Sequence, residues 1–213
     1  MHWLFDFDLT LYGHDEFEVL DSLDRNITRF LMTRFRLSEP AADVLRHELW
    51  EKYRTTLNGL RALHGVRPEE YFDFIHSGEN LLVPRCSAEK HALLQTLPGA
   101  KWVFTNARRD WAERGLRAMG IAECFDGLFD VEYFGWNSKP DPQVYAKLER
   151  QLDAHPDELI LLDDRPANLA TARSRGWRTV LVHPDAKTQR VECDLKIAHV
   201  LELQGQWMPL RSH

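Results

Sequence analysis

Cysteine is scarce in this chain: Cys86, Cys124 and Cys193 are the only three among 213 residues. Their number is odd and their spacing is not that of a metal-binding cluster. Neither a disulfide framework nor a structural zinc site is therefore expected, and free thiols fit a reducing compartment. No apolar run approaches the roughly 18–20 residues that a membrane span requires. Blocks of lysine and arginine, low-complexity tracts and internal repeats are missing as well. A net charge of −6 argues against a nucleic-acid polymer as partner, which would need a basic face. The chain runs from its start straight into acidic residues, so no signal peptide is expected ahead of the fold. These absences leave a soluble, cytoplasmic protein of one domain, or of a core with a smaller insertion. Its hydrophobic fraction of 44% is enough for a buried core.

What is present is concentrated at the start. The apolar run from Trp3 ends in two aspartates one residue apart, Asp6 and Asp8, followed by the hydroxyl of Thr10. A strand buried on both faces reads as a continuous apolar run. Open α/β sheets place their chemistry where such strands end. Two like charges held together are unfavourable unless a proton or a cation offsets them. The pair asks for a divalent metal.

Five segments read as strands: His2–Phe7, Lys101–Phe104, Leu128–Phe134, Leu159–Leu162 and Arg178–Val182, with a weaker sixth at Leu195–Ile197. Helical patterns lie between most of them, at Ser87–Leu97, Asp110–Met119, Pro142–Leu152 and Ala167–Arg175. Alternating strands and helices imply βαβ units, so the expected fold is α/β, a three-layer Rossmann-like parallel sheet. Residues 15–85 break the alternation. Leu20, Leu23, Ile27, Phe30 and Leu31 mark a long amphipathic helix, a second starts at Ser38 and runs to about Tyr53, and Leu57–Leu63 and Pro68–Ile75 are shorter candidates. An all-helical cap inserted at 15–85 into a catalytic core of 1–14 and 86–213 is the expected organisation. An insertion entering beside the aspartates can exclude water and shape a substrate pocket.

Four chemical features then fall at successive strand ends. Asp6 and Asp8 come first, Thr105 and Asn106 follow the second strand, Lys139 and Pro140 follow the third, and Asp163 and Asp164 follow the fourth. A parallel sheet gathers these ends on one edge, in a pocket of four carboxylates, a lysine and a hydroxyl. Such a pocket suits phosphoryl transfer through an aspartyl-phosphate. A carboxylate attacks phosphorus and divides the hydrolysis into two steps. Mg²⁺, which prefers carboxylate oxygens, would keep Asp6 ionised and screen the acids. A second acid, at the spacing of Asp8, would protonate the leaving oxygen. Thr105 and Lys139 would bind the other phosphoryl oxygens.

Taken together, Asp6, Asp8 and Thr10, then Thr105-Asn106, Lys139-Pro140 and Asp163-Asp164, resemble the four motifs of the haloacid dehalogenase superfamily of phosphohydrolases. The resemblance covers the whole chain, the inserted helical cap included. It implies that Asp6 is the nucleophile and Asp8 the general acid/base. Thr105 would bind phosphate, and Lys139 would stabilise the phosphorylated intermediate. Mg²⁺ would take the Asp6 carboxylate, the Asp8 backbone carbonyl and Asp164, with Asp163 acting through water or behind it. The family's dehalogenases usually lack an acid at the place of Asp8, which favours a phosphatase or phosphomutase here.

A narrower likeness, to the pyrimidine 5′-nucleotidase branch, lies in the run from Thr105 to Ala112, in Gly120-Ile121 and Phe125-Asp126-Gly127, and in Asn168 after the last acid pair. It implies a nucleoside 5′-monophosphate as the small phosphorylated partner. Two positions depart from the branch. Trp111 stands where a histidine is often found, and Arg165 where a serine is. Arg108 and Arg109 are candidates for contacts to phosphate or ribose. In the insertion, Trp50, Tyr53, Arg54, Tyr71, Phe72 and Phe74 are available to a leaving group, although aromatics at helical spacing usually form the core of their own helices. His14 reads as a residue of the hinge into the insertion. The rival readings are a sugar-phosphate phosphatase or phosphomutase of the same superfamily and, from other classes, a receiver-like signalling domain or a silent binding protein. Receivers carry their acid pair first in the chain, whereas here the pair at 163–164 comes last.

Overall fold

A computed structural model describes residues 1–78 and 80–206. Its framework is a six-stranded parallel sheet in the order β3-β2-β1-β4-β5-β6. The strands are β1 (His2–Phe5), β2 (Ala100–Phe104), β3 (Gly127–Phe129), β4 (Leu159–Asp163), β5 (Arg178–Val182) and β6 (Leu195–Ile197). The order reverses at β1, which pairs with β2 on one side, Phe5 opposite Val103, and with β4 on the other, Phe5 opposite Leu162. In open sheets of this kind ligands bind outside the carboxyl ends of the strands at that reversal.

The central strands are apolar because both their faces are covered. Leu4 and Leu161 pack with Phe104, Tyr145, Leu148, Leu169 and Trp177, joining the sheet to the helices α7 (Pro142–Leu152) and α8 (Pro166–Ser174). By strand alternation Trp3 and Phe5 point the other way. Phe5 meets the edge of Phe125, and the Trp3 indole donates to the carbonyl of Pro98 at 2.8 Å. Trp3, Leu4 and Phe5 are fully enclosed.

The two expectations that fail here are strand ends. The first strand stops at Phe5 instead of reaching Phe7, and residues Phe7–Leu11 coil into a short turn with Leu9 at φ 58°. The third strand covers only Gly127–Phe129 and not Leu128–Phe134. The Asp130 carboxylate accepts the backbone N–H of Tyr133 at 3.0 Å, and Gly135 and Trp136 both take positive φ, so the chain turns where its apolar residues suggested extension.

The chain divides into two compact units, Met1–Phe17 with the described residues from Pro84 onward, and Glu18–Val83. Among its described residues the second has helices as its only regular elements: α1 (Phe17–Phe35, whose first residue belongs to the sheet unit), α2 (Glu39–Tyr53), α3 (Thr56–His64) and α4 (Pro68–Ile75). Local chemistry sets these limits. Arg54 in a left-handed conformation ends α2, the Thr55 hydroxyl caps α3 by accepting from Asn58 N at 3.1 Å, Gly65 at φ 61° closes it, and Pro68 opens α4. Tyr71 and Phe72 are core of this unit, with Phe30 edge-on to Tyr71 at 5.3 Å, whereas Trp50 is 50% exposed. In the other unit lie α5 (Ala88–Thr96) and α6 (Arg109–Met119) besides α7 and α8. No helix among the described residues is long and apolar enough to cross a membrane.

Candidate active site

Asp6 is the first residue past β1, and its N–H still donates to Leu162 O at 2.9 Å. That bond extends the β1–β4 pairing by one residue and carries the carboxylate to the reversal point beside Asp163, the last residue of β4. Asp6 is 7% exposed, and Asp163 and Lys139 are fully buried. Burying charges at this depth requires that they be paired. The Lys139 ammonium lies 3.0 Å from Asp6 Oδ1, and it donates to Asp163 Oδ2 at 2.7 Å and to the Phe104 carbonyl at 2.7 Å. Its three donors are thereby matched to three oxygens. The loop that brings it in is pinned by Asn106, whose side-chain oxygen accepts Lys139 N at 2.8 Å and whose amide donates to Lys139 O at 3.0 Å.

The two aspartates of the last pair are treated differently. Asp163 is saturated: besides Lys139 it accepts the N–H of Arg165 at 2.9 Å and the Asn168 amide at 2.9 and 3.0 Å. Asp164 Oδ1 is buried with no hydrogen-bond partner among the described residues. Oxygens of Asp6, Asp163 and Asp164 all lie within 4.8 Å of one another. Burial pushes the Asp6 carboxyl up to about 7, with Asp163 and Asp8 adding to the rise and Lys139 opposing it. Burial, then Asp163 and Asp6, hold Asp164 well above the ordinary carboxylate range. For Lys139, burial favours the neutral amine, but Asp163 and Asp6 outweigh it and raise its pKa.

Three carboxylates against one ammonium leave two negative charges, and one buried oxygen lacks a donor. A divalent cation answers both deficits. Magnesium binds oxygen at about 2.0–2.1 Å, which puts two of its ligands at most about 4.2 Å apart. The carboxylate cluster is close to that size, and the residues present fit such an ion.

Asp8 stands beside this cluster, held by two neutral donors. Tyr12 Oη and Trp111 Nε1 both donate to its Oδ1, at 2.6 and 3.0 Å. Thr105, at the end of β2, is 2% exposed, and its hydroxyl oxygen accepts Ala107 N at 3.0 Å. The β2–β3 pairing fixes its backbone, since Thr105 N donates to Phe129 O at 3.0 Å. The other two candidates have partners within the chain. Arg108 lays its guanidinium on Asp110 at 2.9 and 2.6 Å, and Asn106 spends both ends of its amide on the backbone of Lys139. Three contributors escaped the sequence as site residues: Tyr12, Trp111 and Asn168. Asn168 left a trace as part of the likeness after the last acid pair, and Trp111 as an odd residue at an otherwise recognisable place.

Residues 3–176 match the family model of haloacid dehalogenase-like hydrolases. Among curated proteins, the chain is 40% identical over 151 residues to enolase-phosphatase E1 of Streptomyces avermitilis, an alignment covering 68% of this chain and 62% of the relative. It is 37% identical over 106 residues to bifunctional epoxide hydrolase 2 of Sus scrofa, covering 48% of this chain but 19% of that protein. The chain thus spans only part of the length of these relatives. A solved structure of a HAD phosphatase from Thermococcus onnurineus matches with a TM-score of 0.68 and 18% identity over 99% of both chains, a likeness of fold. With the family model matched from the first strand to the end of the fourth helix of the sheet unit, the chain belongs to the haloacid dehalogenase-like hydrolases.

Proposed function

We propose that the protein is a Mg²⁺-dependent phosphomonoester hydrolase working through a phosphorylated Asp6. The observation that carries this reading is the grouping of Asp6, Asp163 and Asp164 oxygens within 4.8 Å, with the Lys139 ammonium joining two of the three. Asp6, Asp164 and the backbone carbonyl of Asp8 would hold the ion, with Asp163 behind them. When bound, Mg²⁺ supplies the charge that keeps Asp6 ionised and offsets charge developing on the phosphoryl group.

The chain's own groups account for the remaining steps. Asp6 attacks phosphorus, forming the Asp6–phosphorus bond as the ester bond breaks. Asp8, protonated at this stage, gives its proton to the departing oxygen. The Asp8 carboxylate then takes a proton from the water that attacks the phosphorylated Asp6, returning both residues to their starting states. Thr105 and Lys139 bind the phosphoryl oxygens. Because its three donors already lie on Asp6, Asp163 and the Phe104 carbonyl, Lys139 would exchange its Asp6 contact for a phosphoryl oxygen while the other two hold it in place. An acid at position 8 favours phosphate esters over haloacids, since halide leaves without a proton.

The substrate class is proposed more finely as a nucleoside 5′-monophosphate, supported by the likeness of the 105–127 run and Asn168 to the pyrimidine 5′-nucleotidase branch. Phosphate release measured across nucleoside and sugar monophosphates, with Mg²⁺ and with a chelator, tests the reading. Release that requires Mg²⁺ and is fastest with nucleotides is expected. Release unaffected by the chelator would refute the metal assignment. Dependence on a bisphosphate activator with little free phosphate would mark a phosphomutase.

A further inference from the structure

Asp8 is gripped at one oxygen by two groups that do not change charge at neutral pH. Tyr12, fully buried, reaches it from the residue just past the same turn, and Trp111, 1% exposed, reaches it from the first turn of α6. Both rings close edge-on around Phe7, with centroids 5.3 Å (Tyr12) and 6.3 Å (Trp111) from it. Phe7 in turn sits against Gly115, one helical turn along α6, where an added Cβ would fall 2.2 Å from its ring. The missing side chain lets Phe7 approach the helix, and the packed ring fixes both donors. Burial and the neighbouring Asp8 raise the Tyr12 pKa well above its ordinary value, so its hydroxyl stays a donor.

Resting on the function proposed above, we infer that Trp111 and Tyr12 are the positioning residues of Asp8: by donating to Oδ1 they orient the carboxyl group for proton transfer to the leaving oxygen. This gives a use to the departure at position 111. A tryptophan N–H only donates, and it does so at any pH an enzyme meets, whereas a histidine in that place would change role as it titrates. Both act through Asp8, which makes them positioning rather than catalytic residues.

Leaving-group dependence separates orientation of an acid from general structural support. An aryl phosphate expels a weakly basic phenolate and gains little from a proton donor, whereas an alkyl phosphate expels a strongly basic alkoxide and depends on one. Well-placed general acids contribute about 10²–10⁴-fold, and misplacing one forfeits part of that. In the full chain with Mg²⁺, Trp111→Phe and Tyr12→Phe are each expected to lower kcat on an alkyl phosphomonoester roughly tenfold more than on an aryl phosphate. KM should change little, and Trp111→His, which restores an N–H, should recover part of the alkyl rate. Because both donors act through one oxygen, the double variant should lose less than the product of the single losses. Equal losses on both substrates, or full alkyl activity in both single variants, would overturn the inference. A parent enzyme that releases no phosphate from either ester would instead overturn the function on which it rests.

Discussion

At the scale of single residues, the site is defined by which acid has partners and which does not. Asp163 accepts from Lys139, Arg165 and Asn168, while Asp164 keeps a buried oxygen with no partner among the described residues and Asp6 is raised to about 7. Acids that hold protons more tightly when folded cost stability as pH rises. From the ordinary carboxylate value of 3.8 up to about 7 the folded protein binds the extra protons, and across that window the stability they provide is lost. Mg²⁺ competes with those protons, so it should stabilise most where they have left. Thermal unfolding with and without Mg²⁺ should show a larger rise in Tm at about pH 8 than at about pH 5. An equal or reversed effect would count against Asp6 and Asp164 as its ligands.

At the scale of elements, α6 and the turn after β1 are packed together, and Gly115 is where the Phe7 ring meets the helix. Alanine is the better helix former by about 1 kcal/mol. A Cβ only 2.2 Å from the Phe7 ring forces overpacking that costs about 1–3 kcal/mol. At a 2.2 Å approach the collision outweighs the propensity, so Gly115→Ala should destabilise the fold by up to about 2 kcal/mol in a denaturant titration. A gain in stability would show that Phe7 yields easily. Elements also mark how far the sequence could be read. The strands β1 and β4 were legible because burial on both faces writes a nearly unbroken apolar run, and α3 and α4 because Pro and Gly punctuate them. The 130–134 segment was not legible. Its apolar residues match a strand, and the Asp130 turn that ends β3 is a side-chain bond no periodicity records. Asp6, Thr105 and the Asp163–Asp164 pair were legible as polar groups at strand ends, whereas Asp8 sits in the turn after β1 and Lys139 ten residues past β3. Tyr12 and Trp111 were not, because their role depends on an approach between α6 and the first turn, 103 positions apart for Trp111 and Asp8.

At the scale of the whole molecule, the parallel sheet explains why residues scattered from 6 to 164 meet. Its order reverses at β1, which sets Asp6 beside the end of β4. The helical unit leaves the chain at Phe17, shortly after Asp8, and rejoins it at Pro84. That entry point is the basis for proposing that it selects substrates. Shortening it should redistribute kcat/KM among nucleoside and sugar monophosphates by more than it lowers turnover of a generic aryl phosphate. Uniform losses on all substrates would assign it a supporting role only. The account as a whole depends on Asp6 forming a bond to phosphorus, which the rate of phosphate release by Asp6→Asn, measured beside the parent protein with Mg²⁺, tests most directly. The variant should fold and lose essentially all turnover, since an amide cannot serve as the nucleophile. Hydrolysis at the parental rate would contradict it.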